Sequence, residues 1–166
     1  MTRRPAQQTD VLLEKLDNSR LEFVVIGGVA AIAHGATTPT QDLDIACSMT
    51  PDNMRKIMTA LSGQHPVHAT RPDLGEIQNT PESLAQFRML LIQTDVGRLD
   101  VLGTVEPIGG IESLAAVSME LLPSRSFRVL GLEQLIAVKA HVGRPKDKLV
   151  EAELRALLRL RLSNPP

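Results

Sequence analysis

The chain has 166 residues, of which 43% are hydrophobic and 22% charged, a composition typical of one globular domain with a sizeable core. A formal net charge of −1 excludes a global positive field for nucleic acids, and three Phe with no Trp or Tyr argue against a stacking platform for single-stranded bases. One cysteine excludes an internal disulfide and no long apolar run predicts a membrane span, so we expect a cytoplasmic protein that does not bind membranes.

The beginning of the chain predicts a helix followed by a buried strand. Residues 1–8 are polar and are expected to be flexible, and Thr9 and Asp10 can cap a helix over residues 11–18. A β-branched run then predicts a strand over residues 21–26.

Gly27 and Gly28 lie between this strand and a short helix predicted over residues 29–34. A glycine pair lets the backbone turn where a Cβ atom would clash, and it exposes N–H groups at the positive end of a helix, where a phosphate can bind. Many such turns bind nothing, so the pair is weak evidence alone. His34, at the end of the helix, is interpreted as structural.

The next predicted strand, over residues 41–48, carries two carboxylates on one face. Apolar residues alternate with Asp42 and Asp44, so the apolar side chains, including the Cys47 thiol, face the core and the two acids project together from the other side. Either this face is solvated, or a cation lies between the acids, and hard oxygen ligands at this spacing suit Mg²⁺ or Mn²⁺. Its position after a strand, a glycine pair and a helix favours the cation site.

The middle of the chain predicts a helix, a long irregular segment and a hairpin. Thr50 and Pro51 suit the start of a helix that extends to about residue 62. Residues 63–80 are broken by Pro and Gly and are predicted to be a loop that covers the site; His65 and His68 within it are not expected to bind metal. A helical turn is predicted over residues 81–85, followed by the two strands of a hairpin over residues 87–94 and 98–102.

Asp100 lies in the second hairpin strand between Leu99 and Val101, in the same apolar-acid-apolar pattern that surrounds Asp44. If this strand pairs with the one that carries Asp42 and Asp44, the strand spacing of about 4.8 Å brings three carboxylates onto one face. Alone, Asp100 would be read as a surface acid; as the third member of this set it is a candidate site residue.

The last third of the chain is predicted to end in two helices. A loop is expected over residues 107–110, a partly helical segment over residues 111–122 and a short strand over residues 127–130. The two helices are expected over residues 131–143 and 147–162. Lys139 shares the apolar face of the first of these helices, with its ammonium either at the site or in water. No linker is visible, so residues 1–166 are predicted to form one α/β (α+β) domain: a small mixed sheet flanked by helices, with residues 131–162 packed on it as a C-terminal helical part.

Two runs of sequence, Ile26–Gly28 and Thr40–Ile45, joined by a short helix, resemble the nucleotidyltransferase fold of the polymerase-beta-like superfamily. More narrowly, they resemble the small nucleotidyltransferases of the abortive-infection toxin type. The resemblance covers most of the chain, although only these motifs are specific. It implies the nucleotidyltransferase fold for this domain.

The resemblance also implies roles for the acids and the glycines. Asp42 and Asp44 would hold two Mg²⁺ or Mn²⁺ ions, and Asp100 would be the third acid, which holds the metal that activates the acceptor and helps to take its proton. Gly27 and Gly28 would meet the triphosphate of an NTP through their N–H groups.

Further candidates for nucleotide binding follow from the same resemblance. They are Lys139, Lys146 and Thr40, and Thr40 is a residue of the family motif that this sequence retains. Asp147 either shapes the site or is simply a helix N-cap. One departure is that family members often carry Arg at the position of Thr38, so another group would have to handle the phosphate or acceptor, or the enzyme would be weak.

The implied activity is metal-dependent transfer of an NMP from an NTP to an acceptor hydroxyl, which could belong to an RNA end such as tRNA, a protein or a small molecule. By analogy the protein could be the toxin of a toxin–antitoxin or phage-defence system, with an antitoxin protein as partner. Two alternatives remain: a catalytically weak binding module of the same fold that acts through a partner, and a phosphoesterase that uses the same acids.

Overall fold

The computed structural model describes residues 5–165, in which the chain forms one mixed seven-stranded sheet and six α-helices. The strands are β1 (Val24–Ile26), β2 (Leu43–Ala46), β3 (Val67–His68), β4 (Met89–Thr94), β5 (Gly97–Leu102), β6 (Ala116–Leu122) and β7 (Arg125–Leu130). The helices are α1 (Thr9–Asn18), α2 (Gly27–His34), α3 (Pro51–Ala60), α4 (Pro81–Leu84), α5 (Leu132–Val142) and α6 (Pro145–Ser163). The predicted α/β class, with a mixed sheet flanked by helices, is confirmed.

The strand order is β3-β4-β5-β2-β1-β7-β6, so β2 and β5 are neighbours near the centre of the sheet. They run parallel, and Asp44 is the register partner of Asp100. On its other side β2 pairs antiparallel with β1. The pairing on which the three-carboxylate prediction depended is therefore present.

The apolar face of these central strands contributes to a single core cluster. Leu43 and Ile45 of β2 are fully buried, as are Leu99 and Val101 of β5. Because side chains alternate along a strand, burying these residues on one face leaves the acids between them on the other. The core thus fixes the side of the sheet on which the acids lie.

The helices form two groups, and each helix contacts at least one other helix of its own group. One contains α1, α3 and α4, and the other contains α2, α5 and α6. Helix α3 begins as predicted, with the Thr50 side chain accepting a hydrogen bond from Asn53 N and with Pro51 in the first turn. Among the helices of residues 5–165, none combines the length and the apolar character that crossing a bilayer requires.

The prediction of a partly helical segment over residues 111–122 is wrong. Only Ile111–Ser113 form a short 3-10 turn, and residues 116–122 form strand β6. Strand β6 pairs antiparallel with β7, with Val117 opposite Val129 and Met119 opposite Phe127. Pairing with the following strand overrides the weak helical pattern of the isolated sequence.

The prediction that residues 63–80 cover the site is also wrong. This segment contains β3, in which Val67 and His68 pair with Gln93 and Ile92 of β4 at the edge of the sheet. It lines a separate cavity that lies against Phe87 rather than the cavity that holds the acids.

The flexibility predicted for residues 1–8 is only partly open to comparison. Residues 1–4 lie outside the described part of the chain. In the rest of the segment, Gln7 exchanges two side-chain hydrogen bonds with the backbone of Arg98, at 3.1 and 2.8 Å, and Gln8 N donates to Val96 O, while the flexibility itself stays a prediction. The start of the described chain is therefore attached to the edge of the hairpin.

Candidate functional site

Three carboxylates meet on one face of the central strands. Asp42 directly precedes β2, Asp44 lies within it, and Asp100 lies opposite Asp44 on β5. One oxygen from each acid lies within 4.8 Å of one oxygen of each of the others. The predicted juxtaposition is confirmed, and its geometry is suited to sharing a cation.

Burial and mutual repulsion disfavour the charged forms of Asp44 and Asp100. Burial, followed by the charges of Asp42 and Asp100, raises the pKa of Asp44 to about 7. Burial also raises the pKa of Asp100, although Arg98 opposes that shift. Buried carboxylates held this close favour either protonation or a bound cation, and three hard oxygen donors fit Mg²⁺ or Mn²⁺.

Arg98 is a site residue that sequence reasoning missed. Its guanidinium makes two hydrogen bonds to Asp100, from Nε to Oδ1 at 2.7 Å and from Nη2 to Oδ2 at 3.2 Å. The signal was present, because residues two apart on a strand share a face. Applied to Asp100, that rule identifies Arg98 at once.

The two glycines allow helix α2 to start against the acids. Gly27 has a φ of 64°, in the left-handed region, and a Cβ atom there would overlap the Asp44 carboxylate. A Cβ atom on Gly28 would lie 2.5 Å from Thr40 Oγ1. The helix begins at Gly27 rather than at the predicted residue 29, so the first turn of α2 lies directly beside the site.

Thr40 is tied to the first acid. Its hydroxyl donates to Asp42 Oδ1 at 3.2 Å. Thr40 therefore orients the Asp42 carboxylate and at the same time packs against Gly28.

An ion-pair cluster around the buried Asp147 lines the same cavity as the acids. Asp147, only 1% exposed, accepts a hydrogen bond from Lys139 Nζ at 3.1 Å and another from Arg144 Nε at 2.7 Å. Burial alone would raise the pKa of Asp147, but the two hydrogen bonds outweigh it and the pKa lies below its ordinary value. Asp147 thus anchors two cations, and it is not the helix N-cap, since α6 begins after Arg144.

Lys139 and Lys146 both face the site. The Lys139 side chain is 13% exposed and paired with Asp147, so its ammonium is not free in water. Together with Arg98 and Arg144, these lysines place four cations around the acids. Arg144 was also missed from the sequence, although it lies in the same short run as Lys146.

One cavity of about 410 Å³ joins these groups, a volume within the usual range for small-molecule sites. Its polar and charged lining includes Thr38, Thr40, Asp42, Asp44, Arg98, Asp100, Lys139, Arg144, Lys146 and Asp147, and Gly28 also lines it. Every site residue predicted from the sequence lines this cavity except Gly27, which lies behind Asp44.

No protein-family model matches this chain, and no curated protein matches it.

The loop before β2 is fastened to helix α6 at the position where the sequence departs from the motif. Glu153 accepts hydrogen bonds from Thr37 N at 2.7 Å, from Thr37 Oγ1 at 2.9 Å and from the Thr38 hydroxyl. Thr38 is thus a structural tether, and positive charge in the cavity comes from other residues.

His34 is structural, as predicted. Its ring lies with Nε2 2.8 Å from Leu130 O, so Nε2 carries the proton and donates, and Nδ1 accepts from Arg161 Nη2 at 3.3 Å. Burial lowers the pKa of His34, which agrees with a neutral ring.

The other candidate ligands lie apart from the site. His65 pairs with Asp95, and His68 pairs with Asn79. Cys47 is fully buried, and burial raises the pKa of its thiol to about 12, so it is an inert core residue as predicted.

Proposed function

We propose that this protein is a metal-dependent nucleotidyltransferase, which moves an NMP from an NTP to an acceptor hydroxyl. The observation that supports it most strongly is the cavity that brings three clustered carboxylates together with four cations. A carboxylate cluster suits divalent metal ions, and cations in the same cavity suit a polyphosphate. The sequence motif that resembles nucleotidyltransferases contains two of these acids, Asp42 and Asp44.

Asp42, Asp44 and Asp100 would hold Mg²⁺ or Mn²⁺, two ions in the proposed reaction. Their oxygens lie close enough to share ligands, and the pKa of Asp44 near 7 indicates that the protein leaves charge there to be neutralised. When bound, such ions stabilise negative charge on phosphoryl oxygens and activate the acceptor oxygen.

The chain's own cations would bind the triphosphate. Asp147 holds Lys139 and Arg144 in fixed positions, so their charges are arranged before the substrate arrives. Lys146 adds a mobile charge at the cavity wall. The first turn of α2, at Gly27 and Gly28, would offer N–H groups to the same phosphates.

The reaction balances without any further reactant. The acceptor oxygen forms a bond to the α-phosphorus, the bond from that phosphorus to the bridging oxygen breaks, and pyrophosphate leaves. The acceptor's proton passes to a carboxylate of the acid cluster. Attack and departure are in line, so acceptor and pyrophosphate must lie on opposite sides of the α-phosphorus.

The biological setting is part of the proposal. We expect the protein to act in a reducing cytoplasm, because Cys47 is a free buried thiol. The motif resemblance supports a toxin that acts with an antitoxin protein as partner. Growth arrest on expression of the wild type, but not of Asp44→Asn, would support that role, and equal growth of the two strains would contradict it.

A second candidate is a binding module of the same fold with little catalysis. Two observations favour it: Arg98 occupies both oxygens of Asp100, and Thr38 stands where the motif often has Arg. Such a protein would still bind a metal–NTP complex in the cavity.

Label transfer separates these functions. The full chain is incubated with Mg²⁺ or Mn²⁺, each α-labelled NTP in turn, and total RNA plus cell protein. Asp44→Asn removes one proposed ligand, and Asp73→Asn is the matched control, because Asp73 is exposed and pairs with the exposed Arg71 outside the acid cavity.

Label in RNA or protein with the wild type and Asp73→Asn, but not with Asp44→Asn, is the expected result. Metal–NTP binding without transfer would support the binding module. Neither transfer nor binding would overturn the proposed function.

A further inference from the structure

The sheet ends differently at its two edges. At one edge, β3 has only two residues, and Val67 also forms a bridge to Glu76, which covers part of that edge. At the other edge, β6 has seven residues, and among the strands of residues 5–165 it pairs only with β7. Proteins usually shorten or cover such edges, because an open row of N–H and C=O groups pairs readily with another chain. The outer edge of β6 is therefore a candidate docking edge.

The hydrogen-bond pattern identifies the backbone groups that point outward from β6. Gly131 N donates to Ala115 O at 2.7 Å, and the register places these two residues opposite each other, so they form a hydrogen-bonded pair. Hydrogen-bonded and non-hydrogen-bonded pairs alternate along antiparallel strands. By that alternation, Val117 and Met119 bond to β7. The residues whose N–H and C=O groups face outward are Ala116, Ser118 and Glu120.

The apolar core reaches this edge without being covered there. Val129 on β7 is fully buried, whereas its register partner Val117 on β6 is 44% exposed. Met119, opposite the buried Phe127, is only partly buried against the core. A further strand that continued the sheet beyond β6 would cover both side chains and remove apolar surface from water.

The sequence of β6 is complementary to itself in an antiparallel arrangement. With a two-fold axis at Ser118, Val117 lies opposite the second copy's Met119, and Ala116 lies opposite its Glu120. Apolar side chains then meet on the core face, and no carboxylate lies opposite another. Residues 116–120 are also the regular part of the strand, because the register with β7 shifts between Glu120 and Leu122.

We infer that the outer edge of β6 is a dimerisation edge, at which a second copy of this chain pairs antiparallel through residues 116–120 and continues the sheet across a two-fold axis. The inference does not depend on the proposed function. Strands β7 and β1 lie between β6 and the strands that carry the acids, so the acid cluster lies outside the contact. A contact built on one strand and two apolar side chains is small, so we expect the dimer to be weak and dependent on concentration.

Amide hydrogen exchange followed by NMR tests this arrangement residue by residue. The full chain is studied from about 10 µM to about 1 mM, a range suited to a small interface, and its mass is followed in parallel by sedimentation. The Ser118 and Glu120 amides should exchange rapidly in the monomer and about tenfold more slowly in the dimer. The Val117 and Met119 amides should exchange slowly at every concentration, because they bond to β7, and they serve as the internal control.

Two substitutions weaken the edge in different ways. Ser118→Pro removes an outward N–H and leaves the bonds to β7 intact, and Ser118→Thr, which keeps that N–H, is its control. Val117→Lys places a charge among the apolar pairs. Its control is Met89→Lys, because Met89 is an equally exposed apolar residue, at 49%, on β4. Ser118→Pro and Val117→Lys should each raise the dimer dissociation constant about tenfold or more, and the two controls should leave it unchanged. Slow exchange of the Met119 amide in each variant shows that β6 still pairs with β7.

Three results would overturn the inference. The first is rapid exchange of the Ser118 and Glu120 amides at every concentration, which would leave the edge unpaired or free for a different partner. The second is protection of these two amides in a sample that sediments as a monomer. The third is a dimer that survives both Ser118→Pro and Val117→Lys, because such a dimer would use another surface.

Discussion

Arg98 and Asp100 form a two-point ion pair within the acid cluster, with Arg98 Nε 2.7 Å from Asp100 Oδ1 and Nη2 3.2 Å from Oδ2. The two residues share a face of β5 because side chains alternate along a strand. The guanidinium therefore supplies part of the positive charge that three close carboxylates require. A metal ion bound to Asp100 would have to share or displace that contact.

Replacing Arg98 by Gln should destabilise the protein and make it depend more on metal. Losing a charged hydrogen bond to a largely buried carboxylate costs about 1.5–3 kcal/mol, and added Mg²⁺ should recover part of that loss in a thermal melt. The matched control is Arg71→Gln, because Arg71 pairs with Asp73 at the same spacing but on the surface, where such pairs contribute little. Equal losses in the two variants would contradict a special role for Arg98.

The pKa of Asp44 predicts an unusual dependence of stability on pH. Its carboxyl has a pKa of about 7 in the folded protein against an ordinary value of 3.8, so the folded state holds the proton more tightly. The wild type should therefore lose stability as pH rises through that window. Asp44→Asn stays neutral, so at about pH 8 its free energy of unfolding should exceed that of the wild type by about 1–4 kcal/mol, and it should melt at a higher temperature. Near about pH 4 the two proteins should not differ.

The control for this prediction is Asp73→Asn. Asp73 is exposed and its pKa is lowered by Arg71, so its replacement should give no gain at high pH. Added Mg²⁺ should raise the melting temperature of the wild type and leave that of Asp44→Asn unchanged. A wild type more stable than Asp44→Asn at high pH without metal would contradict this account.

Gly27→Ala should damage the site more than its backbone strain alone explains. Gly27 and Gly63 both have left-handed φ angles, of 64° and 76°, but only at Gly27 would a new Cβ atom overlap the Asp44 carboxylate. Gly63→Ala has open space and should cost only the strain, about 1 kcal/mol. Gly27→Ala should lower the free energy of unfolding by more than this, as measured in a thermal melt, and should also reduce the stabilisation by Mg²⁺. Equal losses of stability in the two variants would argue against close packing of α2 on Asp44.

Asp147 is predicted to act as a positioning residue for Lys139. In Asp147→Asn, Lys139 and Arg144 lose the carboxylate that they share. The affinity for NTP should therefore fall about tenfold or more, which corresponds to about 1.4 kcal/mol. Asp147→Glu should restore part of it. Glu151→Gln is the matched control, since Glu151 pairs with Arg155 on the same helix outside the cavity. A purely structural role would lower the melting temperature without changing NTP affinity in the folded protein.

The central features of the site could be predicted because they follow from local rules. Alternation along one strand placed Asp42 and Asp44 on the same face, and the same apolar-acid-apolar pattern around Asp100 made it the third acid on condition that the two strands pair. The parallel pairing of β2 with β5 then brought the acids together. The glycine pair was recognised as a turn, although the need to avoid the Asp44 carboxylate was visible only in three dimensions.

Apart from Arg98 and Arg144, the features that were missed depend on contacts between distant parts of the chain. Glu153 reaches Thr38 across 115 residues, and Gln7 reaches Arg98 across 91. Strand β6 has no clear alternation of buried and exposed residues, so only its partner β7 defines it. Sequence periodicity carries no information about such partners.

The most direct measurement of the central claim is a comparison of α-labelled and γ-labelled NTP in one reaction, with released pyrophosphate counted in parallel. We predict that the acceptor gains label only from the α-labelled NTP, that one pyrophosphate appears for each label transferred, and that Asp44→Asn does neither. Label passing from the γ position, or phosphate released in place of pyrophosphate, would contradict nucleotidyl transfer.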